Sequence, residues 1–355
     1  MYGGCVMVLV SVDGVREVSA RIFSAAGMPV DMAEQLAQWL VTSNLSGHPS
    51  HGIQRVPEYV QAIREGSMVP AARPYVVSET PTTILLDGQC GPGHFAAAEL
   101  TRRLAAKCQE SQIAMGGIVN PTHIGRLGEW AELATDLGVI LYISLGSDAL
   151  RRGVTATYGS SEGRISTNPI SFGAPGVDGD RFVSDFATSA AAEGKIRVAR
   201  DSGKAVPEGW IRDSKGQPTT DPNDFYDGGI LMTFGEHKGS AIAVMTTLLS
   251  VGLIGSAVDA SGEAWGVFAF AIDPNVFGQG EVARSAIQRQ LDAIRSTAPA
   301  DGFDRVQVPG DFEHLSREAL ANGPLEIPDT TWELLLDAAA SVDVPRSAVD
   351  AVQVV

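Results

Sequence analysis

Residues 113–119 read Ile113-Ala114-Met115-Gly116-Gly117-Ile118-Val119, and residues 120–126 read Asn120-Pro121-Thr122-His123-Ile124-Gly125-Arg126. Next come Leu127 to Leu137, with Trp130, Ala131 and Ala134, and then the apolar run 139–145. The first run is short, apolar and β-branched, as a buried strand requires. The second is a turn built on Asn, Pro and Gly. The third repeats apolar residues at helical spacing, and the fourth is again strand-like. Strand, loop, helix and strand in that order predict a layered α/β fold.

The same alternation extends outward. Runs 82–87, 170–174, 181–185 and 265–272 read as further strands, the last apolar on both faces and therefore interior. Residues 96–108, with Leu100 and Leu104, read as a helix between strands. The first 70 residues look helical. Asp31 suits an N-cap for a helix with Met32, Leu36, Trp39 and Leu40 on one face. Pro57 opens a second helix carrying Val56, Tyr59, Val60 and Ile63, with Gly66 as its stop. An apolar helix follows Lys238 through Ile242, Met245, Leu248 and Leu249, and charged helices return after Glu281, at 312–321 and at 330–340. No internal repeat or low-complexity tract occurs. The predicted layout is a helical part over 1–75, an α/β core over 76–280, and a helical segment over 281–355 that packs with the N-terminal part.

Composition narrows the function. A chain of 355 residues is long enough for roughly two domains of about 150 residues. Hydrophobic residues make up 44% and charged ones 19%, with mean hydropathy +0.06, an ordinary globular balance. Its 26 basic and 42 acidic residues leave a net charge of -16, a field that repels nucleic acid and anionic membranes. Any anionic ligand must therefore be held by local cations, with Arg55, Lys238 and Arg126 or Arg151 as candidates beside helix N-termini. Cys5, Cys90 and Cys108 are too few and too scattered for a disulfide framework or a Cys-rich zinc site. They read as reduced thiols of a cytoplasmic protein. The apolar run 6–10 lacks a basic flank, is far shorter than about 18 residues and meets Asp13, so neither a signal peptide nor a membrane span is expected.

The generic phosphate and nucleophile signatures are missing: no G-x-G-x-x-G follows a strand, and neither G-x-x-x-x-G-K-[ST], G-x-S-x-G nor H-E-x-x-H occurs. Gly88-Gln89-Cys90-Gly91-Pro92-Gly93 reads as a turn after a strand. Among six histidines, His48 and His51 lie in a turn-rich segment ahead of a helix, with Arg55 on the face of His51 if that segment is helical. An imidazole that moves a proton beside a guanidinium that holds a carboxylate is a workable pair. Taken alone, the two read more simply as a surface histidine and arginine. His123 follows a core strand, a common ligand position in α/β folds, and reads equally as a loop histidine bonded to backbone. Lys238 begins a helix and suits either an anion or solvent. His94 and His314 read as structural, and no metal-ligand spacing is present.

Taken in order, these segments resemble the type-2 malate/L-lactate dehydrogenase family, a non-Rossmann group that also holds ureidoglycolate and sulfolactate dehydrogenases and cyclic-ketimine reductases. The resemblance rests on Gly47-His48-Pro49-Ser50-His51-Gly52-Ile53-Gln54-Arg55, His123-Ile124-Gly125-Arg126 and Ser166-Thr167-Asn168-Pro169. It continues through Asp185-Phe186-Ala187-Thr188-Ser189 with Gly194-Lys195, Pro207-Glu208-Gly209-Trp210 with 218–222, His237-Lys238-Gly239, and Pro309-Gly310-Asp311-Phe312-Glu313. Residues 123–132 and 231–239 look most like the hydroxycarboxylate dehydrogenase B subgroup.

The resemblance implies a sulfolactate-dehydrogenase-like fold with a central mixed sheet, and a homodimer. It further implies hydride transfer between NAD or NADP and a small 2-oxo or 2-hydroxy acid, with the cofactor held in the 76–280 core without a Rossmann glycine loop and with no metal. It gives His51 the acid/base role with Ser50 orienting it, Arg55 the substrate carboxylate, and His123 a rival claim to the proton. Ser147, Asp148, Thr167, Asn168, Asp185, Phe186, Ala187, Lys238, Gly239, Pro309, Gly310, Asp311 and Glu313 are the implied cofactor contacts.

Some positions depart from the family pattern. Ser166 stands where a glycine is usual, and the loop Asp148-Ala149-Leu150-Arg151-Arg152-Gly153 lacks the expected prolines. Residues 1–11 lie outside the resemblance. Lys195 replaces the acidic residue expected in the ketimine-reductase branch, which favours hydroxy-acid chemistry. The competing readings are a cyclic-ketimine reductase, a metal-dependent hydrolase or lyase using His48, His51 and His123, and a family member that binds nucleotide without turnover.

Overall fold

Seven strands form one mixed sheet in the computed structural model, which describes residues 7–150, 153–201, 203–256, 264–321 and 323–354. Across the sheet they run Tyr75–Glu79, Thr83–Asp87, Ile113–Val119, Trp265–Ile272, Ile140–Ser147, Ile170–Pro175 and Arg181–Phe186. Thr83–Asp87 and Ile113–Val119 are parallel, joined by the crossover helix Gly93–Ser111, and the other neighbours are antiparallel. Trp265–Ile272 inserts between Ile113–Val119 and Ile140–Ser147, and its apolar character on both faces suits that central place.

Helices Gly93–Ser111 and Leu127–Asp136 cover one face of the sheet. Leu100, Leu104, Trp130 and Ala134 pack there on Ile84, Leu86, Ile118, Leu141, Ile143 and Val267 in the main hydrophobic core. The other face is covered less fully. Helix His237–Thr247 and the π-helical turn Leu248–Leu253 reach it at Gly146, where a Cβ would lie 3.3 Å from the Thr246 carbonyl, and at Gly266, where it would strike the Ser250 carbonyl at 1.8 Å. Ile113 and Met115 on the same face stay exposed, and Tyr142 stacks on Phe270 with centroids 5.1 Å apart. The apolar helix after Lys238 runs through Leu249 as its hydropathy suggests, changing from α to π geometry at Leu248, but Met245, Leu248 (63% exposed) and Leu253 (64% exposed) face away from the core.

The N-terminal helices Val12–Ala25, Val30–Leu45 and Val56–Glu65 bury the expected faces, including Met32, Leu36, Leu40, Tyr59 and Val60. Pro29 rather than Asp31 occupies the N-cap of the second, and Asp31 sits in its first turn paired with Arg73 at 2.5 Å. Gly66 ends the third helix in the left-handed conformation (φ 79°). At the far end of the chain, Leu325–Pro328 pairs antiparallel with Met7–Val10, and helix Asp329–Ala340 lays Trp332, Leu335 and Ala339 into the same core.

Sequence periodicity missed several elements. Strands Met7–Val10, Tyr75–Glu79 and Leu325–Pro328 were not expected, nor was a small five-stranded sheet made of Thr155–Ala156, Gly163–Ile165, Ile211–Arg212, Pro218–Thr219 and Ile230–Leu231. Two- and three-residue strands are too short to show alternation. Ile196, Val206, Ile211 and Leu231 form a separate small core beneath it. Among the described residues no helix is long and apolar enough to cross a membrane.

Candidate active site

The segment between the second and third helices is not one helix. Two 3₁₀ turns, Pro49–His51 and Ile53–Arg55, are separated at Gly52 (φ -101°, ψ -141°). Asn44 creates the break: its Oδ1 accepts from the Ile53 N–H at 2.8 Å, and a Cβ on residue 52 would lie 1.9 Å from that oxygen. The expectation that His51 and Arg55 share a helical face therefore fails. Arg55 instead folds back, its Nε donating to the Ser50 carbonyl at 2.7 Å while its guanidinium pairs with Glu58.

His123 is presented by the loop 120–126, where Asn120 and Gly125 adopt positive φ (50° and 74°). Thr122 ties this loop to the 88–93 turn by donating to the Gly91 carbonyl (2.6 Å) and accepting from the Gly93 N–H (3.0 Å). Buried Trp130 donates from Nε1 to the Ile124 carbonyl at 2.9 Å.

The two loops meet. His51 and His123 stack with centroids 5.5 Å apart and an interplanar angle of 23°. Ser50 Oγ lies 3.0 Å from His51 Nδ1, and the Tyr59 hydroxyl lies 2.6 Å from His123 Nδ1. His94 stands edge-on to His123 at 6.2 Å and stacks on Trp39 at 5.8 Å. His94 is buried, as its structural reading implies, yet it abuts the histidine pair, and neither it nor Tyr59 was read from sequence as part of a site. His314 is exposed and faces Glu318 at 3.3 Å.

Electrostatics keep these rings neutral. Burial, reinforced by the Arg55 cation, lowers His51 to about 3, and burial lowers His94 to about 3. Burial and Arg55 hold His123 well below the ordinary histidine range. Burial pushes the Tyr59 phenol upward, so it stays protonated and able to donate.

A second network lies beside the first. Arg126, 3% exposed, donates from Nη2 to Glu132 at 3.0 Å, while its Nε and Nη1 have no hydrogen-bond partner among the described residues. Asp185 Oδ2 accepts from the Gly128 N–H at 2.6 Å, at the start of helix Leu127–Asp136. A Cβ on Gly128 would lie 2.4 Å from Arg126 Nη1 and 3.2 Å from Asp185 Oδ2, so the bare glycine leaves room for guanidinium and carboxylate to converge there. Burial and the neighbouring Glu132 raise Glu129 to about 7 against the opposing Arg126 charge. His48 Nε2 meets Glu313 Oε1 at 2.8 Å.

The segments expected to hold a cofactor also converge. Ser147 ends a central strand, and its Oγ accepts from the Ser166 N–H at 2.9 Å. Thr188 donates through N–H and Oγ1 to the Thr167 carbonyl, each at 2.9 Å, bringing Asp185, Phe186 and Ala187 alongside Thr167 and Asn168. Asn168, fully buried with φ 39°, spends its amide inside the protein, Nδ2 donating to the Ala243 carbonyl and to Thr247 Oγ1, both at 2.8 Å. Ser166, at the usual glycine position, donates to Asn168 Oδ1 at 2.7 Å and so closes the turn. Lys238 and Gly239 open helix His237–Thr247, with Lys238 exposed. The Pro309 carbonyl accepts from the Val183 N–H at 3.0 Å, and Asp311 is held by Arg295 at 2.6 Å. Asp148 Oδ2 is buried with no hydrogen-bond partner among the described residues. A Cβ on Gly194 would lie 3.9 Å from Ser50, which brings the Gly194-Lys195 pair to the histidine loop. Arg151 and Arg152 lie outside the described residues. Among those described, no group of three or more His, Cys, Asp or Glu is arranged to hold a metal ion.

A sheet of this topology with paired histidines at its rim defines a class that comparison with known proteins identifies. A model of the malate/L-lactate dehydrogenase family matches residues 10–336. An L-lactate dehydrogenase of Cupriavidus necator is 31% identical over 344 residues, covering 94% of this chain and 98% of the relative. Hydroxycarboxylate dehydrogenase B of Escherichia coli O157:H7 is 30% identical over 342 residues, 93% of each chain. The solved sulfolactate dehydrogenase of Methanocaldococcus jannaschii superposes with a TM-score of 0.85 at 26% identity, covering 96% of this chain and 98% of that one. The chain belongs to the malate/L-lactate dehydrogenase family and is a dehydrogenase of malate/lactate type.

Proposed function

We propose that this enzyme reduces a small 2-oxo acid, or oxidises the matching 2-hydroxy acid, with NAD or NADP as hydride carrier. The stacked His51–His123 pair beside Arg55 carries this reading. Reduction at C2 requires a proton for the carbonyl oxygen and an anchor for the carboxylate, and an imidazole and a guanidinium in adjacent loops supply both. His51 is the acid/base group and Ser50 orients its ring. In the free enzyme burial, and after it the Arg55 cation, disfavours positive charge on His51. A bound carboxylate offsets the Arg55 part of that effect and moves His51 back toward the range in which it gives up a proton to the substrate oxygen. Tyr59, donating to His123 Nδ1, fixes the proton of that ring on Nε2 and holds the ring that stacks on His51.

The nicotinamide cofactor, when bound, supplies or accepts the hydride. Ser147, Asp148, Thr167, Phe186, Ala187, Lys238, Gly239, Pro309 and Gly310 would hold it, while Asn168, Asp185, Asp311 and Glu313 shape that site from within the fold. The orphaned Asp148 oxygen fits a hydroxyl donor such as a ribose, and exposed Lys238 fits a phosphate. A homodimer accords with the half-covered sheet face and with the exposed Met245, Leu248 and Leu253, apolar surface that a second copy would shield.

Loss of nicotinamide absorbance with NADH or NADPH and pyruvate, oxaloacetate, hydroxypyruvate, phenylpyruvate or a cyclic imine tests the reading. We expect turnover with a 2-oxo acid; activity on the imine alone, or on none, overturns it. His51→Ala should cut turnover about 10²–10⁴-fold. A near-normal rate there, with the loss appearing in His123→Ala, moves the proton transfer to His123.

A further inference from the structure

The helix Asp311–Leu320 touches the segment just ahead of Ser50 and His51 and, through Arg317, the helix Leu127–Asp136 that follows the His123 loop, although it is remote from both in sequence. One of its faces grips residues 46–48, just ahead of Ser50 and His51. Glu313 Oε1 lies 2.8 Å from His48 Nε2, Phe312 meets the His48 ring edge-on at 6.0 Å, and Arg317 Nη1 donates to Ser46 Oγ at 2.8 Å. The grip is close: Gly47 has φ 79°, and a Cβ there would lie 2.7 Å from the Phe312 ring.

The same Arg317 Nη1 reaches Glu132, 3.2 Å from Oε1 and 3.3 Å from Oε2. Glu132 in turn holds Arg126, and Arg126 ends the loop that presents His123. An unbroken polar chain therefore runs Ser46, Arg317, Glu132, Arg126, joining the His51 loop to the His123 loop through one helix. That helix is fixed to the sheet independently, by Arg295 bridging Asp311 (2.6 Å) and Asp180 (2.5 Å).

We propose that Glu313 and Arg317 are positioning residues for the reaction, setting the His51 loop against the His123 loop rather than contacting cofactor. The assignment deepens the dehydrogenase reading and rests on it for its kinetic consequences. Stacked rings at this separation tolerate little displacement, and a misplacement of about 1 Å in a catalytic group costs on the order of a hundredfold in rate. Because a single nitrogen of Arg317 makes all three contacts, a lysine ammonium can replace it, whereas an apolar side chain cannot.

The test uses the full chain with Glu313→Ala, Glu313→Gln, Arg317→Met and Arg317→Lys. Three readouts are taken: kcat and KM on the best 2-oxo acid, NADH or NADPH affinity by nicotinamide fluorescence, and the ring NMR signals of His51 and His123. We expect kcat to fall tenfold or more in Glu313→Ala and Arg317→Met with cofactor affinity within twofold of the parent. Arg317→Lys and Glu313→Gln, which keep a donor and an acceptor in place, should recover most of the rate and retain the fold. The His51 and His123 signals should shift in Arg317→Met and return in Arg317→Lys. Weakened cofactor binding with unchanged kcat in Glu313→Ala would overturn the proposal, as would unmoved ring signals in both truncations. A parent enzyme without turnover defeats the dehydrogenase reading alone, since the ring signals still report the positioning.

Discussion

The Tyr59 hydroxyl approaches His123 Nδ1 to 2.6 Å, so a residue of the third helix determines which nitrogen of a loop histidine is engaged. Burial keeps the phenol protonated and makes it the natural donor of that hydrogen bond. With the phenol as donor, the assignment proposed above, the His123 proton sits on Nε2, a tautomer set by a neighbour as is common for working histidines.

Tyr59→Phe removes the hydroxyl and keeps the ring that packs on Phe23 at 6.3 Å. We expect kcat to fall about tenfold while stability drops by only about 1 kcal/mol, the scale of one hydrogen bond. Steady-state kinetics beside a urea titration of the same variant check the separation. Equal kcat in both proteins would mean that the tautomer is unimportant.

Arg55→Ala should chiefly raise KM for the 2-oxo acid, because a guanidinium that holds the carboxylate equally in ground and transition states contributes uniform binding. An increase of tenfold or more with kcat within threefold is expected. The variant also releases Glu58 from its ion pair, so Arg55→Lys serves as the control that keeps the charge.

His94 makes stability depend on pH. The unfolded imidazole takes up a proton near 6.5, whereas the buried ring resists until about 3. Between those values the unfolded chain binds more protons, so stability falls as pH drops through this window. His94→Phe keeps an aromatic ring against Trp39 and removes the titration. Denaturation midpoints between pH 7 and 4 should decline less steeply in the variant, by roughly 2–3 kcal/mol over the range.

Glu129 has the opposite sign. Its native value is raised from 4.5 to about 7, so the folded state holds the proton longer and stability falls as pH climbs through that interval. Glu129→Gln should therefore be about 2 kcal/mol more stable than the parent at pH 8 and nearly equal to it at pH 5. Thermal melts at the two pH values decide the matter.

Met245→Glu combined with Leu248→Glu places charge on apolar surface that the single chain leaves exposed. If a second copy covers it, light scattering should report halved mass with the fold intact by circular dichroism. An unaltered mass would assign the contact to another surface.

How far the sequence could be read depended on length and locality. Trp265–Ile272 and Ile113–Val119 were legible with the bounds they have, because seven or eight apolar residues in a row leave few alternatives. Thr155–Ala156 and Ile230–Leu231 carry no period at all, and their pairing is decided by register between distant segments. Met245 and Leu248 were legible as members of an apolar helix, but hydropathy does not say which face of a helix the core covers, and both stay exposed.

The site divides in the same way. The Ser50-His51 and His123 motifs were visible as local signatures. Their stacking was not, nor was the bend at Gly52, which depends on where the Asn44 amide lands. Tyr59 was read as a core residue, correctly for its ring, but the hydroxyl that reaches His123 belongs to a contact between segments whose spacing is silent. Glu313 and His48 are hundreds of residues apart, and no pattern in either neighbourhood announces the other.

The reach of Arg317 back to Ser46 also orders events during synthesis. A ribosome that has released the first 300 residues has made every strand of the large sheet and both histidine loops. What it has not yet released is the helix that sets those loops against each other. On our reading, activity in a nascent chain therefore appears late and abruptly. Early termination would leave a sheet that has largely folded and histidines that have not yet been brought into register.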